Sequence, residues 1–400
     1  MTGAAPITPA ERAARAAALF THLPPGLDAA VLFDDQYIQY YAGFVFFPTE
    51  RPVALVIVRG GQRTLLVPRL EQEHAAQTSV ADEVVAYPEF PGERHPMDHL
   101  AALLRDLGVG RGRLGVDQDG APGVMGYDGP PLSAALPHTR IERVSRDLDH
   151  QMSLKSPAEL ALIRESARWG AEAHRRLQAL TRPGADEQAV EAQATREATA
   201  AMTAALGPEY RGQNRWLSGA VALYRGQIGA HSALPHALTT GAVFRRGDTL
   251  VTGAAAAVWG YISELERTMV LGEPSAQQRR YFGHMLALQE IAFEALRPGR
   301  PCAEVDRAVR AYYAREDLLP CWRHHTGHGL GQRIHESPFL DTGDARVLEP
   351  GMVLSVEPGL YVPGLGGFRH SDTVQITESG MVPLTDYPRD LASLTLPAGD

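Results

Sequence analysis

The second part of the chain contains a repeat that constrains its fold more than any other feature. A long helical segment is closed by Arg-Pro-Gly at 182–184, and a second helix begins within a few residues. The same order recurs around Arg-Pro-Gly at 297–299, and glycine-rich strand segments follow each copy. The repeat therefore predicts a duplicated domain with a pseudo-twofold axis, in which two sheet halves lie face to face with a site between them.

The part of the chain before the repeat predicts a separate α/β domain. Thr8-Pro9-Ala10-Glu11 has the pattern of a capping box with proline at the first helical position. Short apolar or alternating runs predict strands at 29–33, 54–58, 64–67, 83–86 and 113–116, and helical spacing predicts a helix over 97–107. Polar residues at 150–156 precede Pro157 and a long amphipathic helix that ends near Leu180. We therefore predict two domains, 1–152 and 153–400.

Composition limits the partners and the compartment. The 400 residues carry a formal net charge of −9 with no run of Lys or Arg, which argues against nucleic acid and anionic membrane as partners. The two cysteines are too few for a disulfide framework or a structural zinc site. The first nine residues lack the pattern of a signal peptide, and no later run is long and apolar enough to span a bilayer. We expect a reducing, cytoplasmic location.

One short stretch is unusually rich in histidine. His-His-Thr-Gly-His-Gly occupies 324–329, and His335-Glu336 follows closely. A buried imidazole needs a hydrogen-bond partner or a metal, so this density is costly without a function. The glycines that flank His328 favour a turn or strand over a helix, which argues against a helical zinc motif. A polar surface loop is the alternative interpretation.

Acidic residues interrupt the strands of both copies. Two-residue periodicity places Glu264 and Glu266 on the same face of one strand, opposite Leu265. Glu357 interrupts an apolar strand of the second copy, where a buried carboxylate needs a cation or a hydrogen-bond donor. A structural ion pair of Glu266 or Glu357 with Arg267 or Arg369 is the alternative to a catalytic role.

These segments together resemble the pita-bread enzymes, which include aminopeptidase P, prolidase, methionine aminopeptidase and creatinase. The matching motifs are Leu-Pro-His at 234–236, Gly-Asp at 247–248, Gly-Tyr at 260–261, Arg-Thr at 267–268, Thr-Gly-His-Gly at 326–329, His-Glu at 335–336, Glu-Pro-Gly at 357–359 and Gly-Phe-Arg at 367–369. The resemblance implies a creatinase-like or prolidase-like amino-terminal α/β domain, a pita-bread catalytic domain and a homodimer.

In the peptidase members of this family, five side chains hold two metal ions, and the resemblance locates their positions here. His328 and Glu357 match two of the five, and Glu264 replaces an aspartate. Gly253 and Ser371 occupy the other two positions and supply no carboxylate. The resemblance therefore implies either no metal or one divalent ion, manganese or zinc, held by Glu264, His328 and Glu357.

The resemblance also assigns catalytic and substrate-binding residues. His236 and His335 match histidines that contact the substrate or transfer protons in the peptidases. Arg369 and Tyr261 are further candidates for substrate binding. Glu266 matches a creatinase glutamate at a position where the peptidases have threonine. With His335 and Glu357, His236 and Glu266 complete the set of candidate catalytic residues.

Three functions follow from these assignments. The principal one is a hydrolase of the Xaa-Pro dipeptidase and aminopeptidase P lineage that cleaves a C–N bond in a small dipeptide-like substrate with at most one metal. The second is a metal-independent, creatinase-like amidinohydrolase that uses His236, Glu266 and Glu357. The third is a catalytically silent protein that binds a small ligand.

Overall fold

A computed structural model of the chain describes residues 5–120 and 126–398. It contains two compact units, one formed by Ile7–Met152 and one formed by the described residues from Ser153 onward together with those before Ile7. Both units mix helices and strands, so the predicted α/β class is confirmed. None of the helices within the described residues has the length and apolar character needed to cross a membrane.

The first unit is built on a six-stranded sheet. Its elements are α1 (Pro9–His22), β1 (Ala29–Leu32), α2 (Asp35–Ala42), β2 (Ala54–Val58), β3 (Arg63–Pro68), α3 (Gln72–Thr78), β4 (Glu83–Tyr87), α4 (Pro96–Asp106), β5 (Arg113–Val116), α5 (Leu132–Ala135), β6 (Arg140–Arg143) and α6 (Ser145–Ser153). The strand order is β4-β3-β2-β1-β5-β6. One apolar cluster packs on each face of the sheet, as alternating strand side chains require.

Local signals explain most of this unit. The Thr8 hydroxyl accepts a hydrogen bond from the backbone of Glu11 and caps α1 as predicted. The strands lie within two residues of their predicted ends. Helix α2 was not predicted, because its residues are buried on all sides and give no amphipathic pattern. Its start is capped by Asp34, and it ends at Gly43, which has a φ of 71°.

The second unit contains the repeat. Its elements are α7 (Pro157–Leu180), α8 (Glu187–Leu206), β7 (Ala220–Leu223), β8 (Thr249–Val251), β9 (Gly253–Val258), β10 (Tyr261–Glu266), β11 (Thr268–Leu271), α9 (Ala276–Ala295), α10 (Cys302–Arg315), β12 (Gly327–Gly329), β13 (Glu336–Leu340), β14 (Val353–Val356), β15 (Gly359–Val362), β16 (Gly366–Arg369), β17 (Ser371–Thr377), β18 (Gly380–Pro383) and β19 (Thr395–Leu396). Capping boxes at Ser156 and Ser275 start α7 and α9, so the long helix of each copy begins with the same device.

The strands of the two copies form one large sheet. Its order is β13-β12-β14-β17-β10-β9-β7, with β18 paired to β17. The halves meet where β10 pairs antiparallel with β17, with Leu265 opposite Asp372 and Glu266 opposite Ser371. The expectation that the halves lie face to face was therefore wrong, because backbone hydrogen bonds join them edge to edge. The site lies on one face of this continuous sheet, across the junction.

His174 on α7 makes the stability of the second unit sensitive to acid. Its side chain is fully buried, and Nε2 lies 2.6 Å from the Thr252 hydroxyl oxygen. Burial, assisted by the positive charges of Arg267 and Arg175, lowers the pKa of His174 from 6.5 to about 3. The unfolded chain therefore binds a proton below pH 6.5 that the folded chain does not bind, and stability falls as the pH falls.

We expect His174→Gln to reduce this acid sensitivity. Between pH 7 and pH 5, His174 should cost the wild type about 2 kcal/mol of unfolding free energy that the variant does not lose. Urea unfolding of both proteins at the two pH values measures the difference. Equal losses in the two proteins would contradict the assignment.

Candidate active site

Strand β10 places two carboxylates on the site face of the large sheet. Glu264 and Glu266 are both buried on this face, as their spacing predicted. Tyr261 is an odd-numbered residue of the same strand and points to the opposite face. There its hydroxyl donates a hydrogen bond of 2.8 Å to Glu159 on α7. The structure thus brings Glu264 and Glu266 together and does not bring Tyr261 to them.

His328 on β12 lies between two of the carboxylates. Its Nε2 is 3.2 Å from Glu357 and 3.8 Å from Glu264, and its side chain is fully buried. Its Nδ1 lies 3.0 Å from the Gly329 carbonyl oxygen, which can only accept, so Nδ1 carries a proton. Nε2 has no hydrogen-bond partner of good geometry among the described residues. This buried nitrogen is therefore aimed at Glu264 and Glu357.

His335 covers the exposed side of His328. The two imidazole rings are stacked, with centroids 3.7 Å apart and an angle of 17° between their planes. His335 is exposed on its outer side, and His236 is exposed nearby. The pKa of His335 is lowered to about 4 by burial and by the positive charges of neighbouring histidines, including His236. The two histidines that the sequence assigned to the substrate thus lie on the open side of the site.

Burial and mutual charge shift the pKa values of the central groups. Burial, with the negative charge of Glu357 as the next cause, raises the pKa of Glu264 to about 7. Burial opposes charge on His328, but its close contact with Glu357 and its attraction to both carboxylates outweigh that effect and raise the pKa to about 9. Burial likewise opposes charge on Glu357, yet His328 and Arg369 hold its pKa well below the usual range. The site therefore contains an imidazole that interacts electrostatically with two buried carboxylates.

Glu266 is held by two guanidinium groups. Its Oε1 accepts hydrogen bonds from Nη2 of Arg225 at 2.6 Å and from Nη2 of Arg369 at 2.7 Å, while Nε of Arg369 contacts Oε2. The ion pair of Glu266 with Arg369 that the sequence suggested is therefore present. Arg267 does not share in it, because its guanidinium group is directed to Asp372.

The two positions without a carboxylate have other neighbours. The Ser371 hydroxyl donates to Oε1 of Glu264 at 2.7 Å, and the Ser355 hydroxyl donates to the same oxygen at 2.8 Å. A Cβ atom on Gly253 would lie 3.2 Å from Nη2 of Arg225. Hydroxyl groups and a guanidinium group thus lie where the peptidase pattern has acids.

A cavity of about 100 Å³ opens beside these groups. Its lining residues are Val221, Leu223, Arg225, Gly253, Ala254, Ala255, Glu264, Glu266 and Ile334. One side is apolar, and the other is formed by the charged groups. The volume lies below the range of pockets for drug-sized ligands, which indicates a small substrate group.

Arg225 and Ser355 were missed by the sequence analysis. The available signal was that the peptidase pattern is changed at two positions. Gly253 replaces an acid and Glu266 is an additional acid, which indicates that a basic side chain lies near Glu266. Nothing in the sequence near Arg225 indicated that it supplies this charge.

Among the residues that the structure describes, two overlapping groups of side chains have the spacing of metal ligands. One consists of Glu264, His328 and His335, and the other of Glu264, Glu266 and Glu357. Imidazole and carboxylate ligands suit zinc and manganese. Neither group is the predicted set of Glu264, His328 and Glu357, but Nε2 of His328 lies 3.8 Å from Glu264 and 3.2 Å from Glu357, so the predicted set also fits an ion. In the second group, both oxygens of Glu266 already contact guanidinium groups.

The fold and this cluster of buried acids and histidines define a hydrolase with a potential metal centre, and comparison with known proteins agrees. Residues 161–378 match metallopeptidase family M24, and residues 24–149 match the creatinase and prolidase amino-terminal domain. The chain belongs to metallopeptidase family M24. The resemblance to pita-bread enzymes is thereby confirmed, and the chain is a peptidase-family hydrolase that acts on C–N bonds.

The similarity to known proteins extends over nearly the whole chain. A probable dipeptidase PepE of Mycobacterium tuberculosis is 29% identical over 92% of each chain. The uncharacterized peptidase YqhT of Bacillus subtilis is 27% identical over 92% of this chain and 96% of its own. Among solved structures, the dipeptidase PepE from Mycobacterium ulcerans has a TM-score of 0.82 at 28% identity and covers 98% of both chains. The Xaa-Pro dipeptidase from Bacillus anthracis has a TM-score of 0.76 at 25% identity, over 97% of this chain and 100% of its own.

Proposed function

We propose that this protein hydrolyses the C–N bond of a small dipeptide-like substrate of the Xaa-Pro class, with at most one divalent metal ion. The observation that carries the proposal is the buried Nε2 of His328, which is aimed at Glu264 and Glu357 without a well-formed hydrogen bond. The names of similar proteins, which include Xaa-Pro dipeptidases, support the substrate class. A cytoplasmic homodimer is part of the same proposal.

Glu264, His328 and Glu357 would hold the ion, manganese or zinc. Three protein ligands leave a coordination position open, as catalytic metal sites require. The chemistry that an ion would supply there is a lowered pKa of a bound water molecule, about 7, and polarisation of the substrate carbonyl group. The serine hydroxyls that donate to Oε1 of Glu264 leave Oε2 directed toward His328.

Other side chains of the site would bind and orient the substrate. The apolar wall that includes Val221, Leu223 and Ile334 accepts a short aliphatic group. His335 and His236, on the open side, can hydrogen-bond to the polar end of the dipeptide or transfer a proton to the leaving nitrogen. Because its guanidinium group is bound to Glu266 and to the Tyr361 hydroxyl, Arg369 is rigidly placed beside Glu357.

The metal-free, creatinase-like reaction is less well supported. That scheme requires Glu266 to orient a substrate and stabilise its positive charge. In this site, guanidinium groups of the protein already contact both oxygens of Glu266. A substrate cation would have to displace one of them. Creatine is therefore included among the substrates of the activity screen described next, which tests this alternative directly.

The experiment combines metal analysis with an activity screen. Metal content per chain is measured by mass spectrometry on the purified protein. Xaa-Pro dipeptides, creatine and small amides are then assayed with and without a chelator and with added manganese or zinc. We expect at most one ion per chain and cleavage of an Xaa-Pro dipeptide that a chelator abolishes. Chelator-resistant cleavage, activity on creatine alone, or ligand binding without turnover would each overturn the proposal.

A further inference from the structure

Two arginine side chains reach the group of three carboxylates formed by Glu264, Glu266 and Glu357. We propose that the guanidinium group of Arg225 is a resident cation that holds the place of a metal ion in this group. An ion can then be held only by Glu264, His328 and Glu357, without Glu266. The inference deepens the proposed function and rests on it only for the ion assigned to His328.

The backbone at Arg225 is built to place its side chain. Arg225 has a φ of 55°, a left-handed conformation that is uncommon for residues other than glycine. Two carboxylates of α8 hold this turn. Glu191 accepts hydrogen bonds from the backbone N–H groups of Tyr224 and Arg225, and Glu187 accepts one from Gly226. Such conformations are costly and persist where the surroundings enforce them, often at functional sites.

Gly253 provides the space that this guanidinium group occupies. A Cβ atom at Gly253 would lie 3.2 Å from Nη2 and 3.3 Å from Cζ of Arg225, and 3.5 Å from Oε1 of Glu266. A carboxylate at 253 would therefore extend into the position of the guanidinium group. The missing acid and the arginine are thus two parts of one arrangement, because only a residue without a side chain leaves this room.

The charges of the group support the same assignment. Arg225 and Arg369 both form ion pairs with Glu266, so two positive charges already compensate this carboxylate. Both guanidinium groups donate charge-assisted hydrogen bonds to Oε1 of Glu266, so this oxygen has little capacity left to coordinate an ion. A divalent ion placed against Glu266 would also lie close to these two fixed cations, which would repel it.

The test counts ions in variants that remove the cation or restore the acid. Binding of manganese and zinc is measured by titration calorimetry and mass spectrometry for the wild type, Arg225→Lys, Gly253→Asp and Arg225→Ala/Gly253→Asp. The wild type, Arg225→Lys and Gly253→Asp should each bind at most one ion, because each keeps the positive charge of residue 225 beside Glu266. The double variant should bind one ion more than the wild type.

Folding of each variant is checked by circular dichroism and thermal melting, and Arg225→Gln/Gly253→Asp replaces the first double variant if that one is unfolded. Two ions in the wild type would overturn the inference. So would a second ion in Gly253→Asp with Arg225 retained, or no additional ion in the double variant that folds. A wild type without any ion would contradict the proposed single-ion centre, while the gain in the double variant would still test the role of Arg225.

Discussion

Replacing His328 with alanine is expected to abolish activity, with a fall in kcat/KM of at least about 10³-fold, equivalent to about 4 kcal/mol of transition-state stabilisation. His328 is the only imidazole in the predicted ligand set, and its Nε2 lies within 4 Å of both Glu264 and Glu357. Without the imidazole, the buried carboxylates of Glu264 and Glu357 lose the group that lies between them, and the proposed ion loses one of its three ligands. The ion content of the purified variant should also fall to background.

The matched control for this experiment is His284→Ala. His284 lies on α9, and its Nδ1 is 2.9 Å from the Tyr312 hydroxyl oxygen, outside the cluster of acids and histidines. The same substitution there should leave kcat/KM and ion content close to the wild-type values. Steady-state kinetics on the dipeptide identified in the screen and metal analysis give both readouts. Wild-type activity in a folded His328→Ala protein would exclude His328 from the reaction.

Features that depend on local pattern could be read from the sequence. The alternation Glu264-Leu265-Glu266 was sufficient to place both acids on one face, because side chains of a strand alternate whatever their distant partners are. Helix α7 begins at Pro157 and ends at Leu180 as predicted, since its capping residues lie next to it in the chain. The resemblance then supplied the roles that local pattern alone could not give.

Features that depend on distant contacts could not be read in this way. Arg225 acts through Glu266, which is 41 positions away, and through a left-handed backbone that no local residue type announces. Arg267 and Arg369 were both candidates to pair with Glu266, and the approach of Arg369 on β16, 103 positions away, could not be read from the sequence. Because Arg267 follows Glu266 directly, its side chain leaves on the other face of the chain and reaches Asp372.

The largest loss of stability is expected for Arg267→Met. Arg267 is fully buried, and its guanidinium group uses all five of its donor hydrogens. The acceptors are the Asp372 carboxylate and the backbone carbonyl oxygens of Glu266, Ser371, Pro388 and Tyr387. These contacts join the β10–β17 junction to the segment that follows β18. Removing one partner of a buried ion pair costs about 3–5 kcal/mol, since the other charge is left unpaired.

Two further arginine variants distinguish this effect from a general loss of charge. Arg279→Met removes an ion pair with Glu273 in which both side chains are at least half exposed, and it should cost less than about 1 kcal/mol. Arg267→Lys keeps the charge but cannot reach five acceptors with three donors, so its unfolding free energy should fall between the wild type and Arg267→Met. Urea unfolding of the three variants beside the wild type measures the order. A similar small loss for Arg267→Met and Arg279→Met would mean that the junction of the two sheet halves does not depend on Arg267.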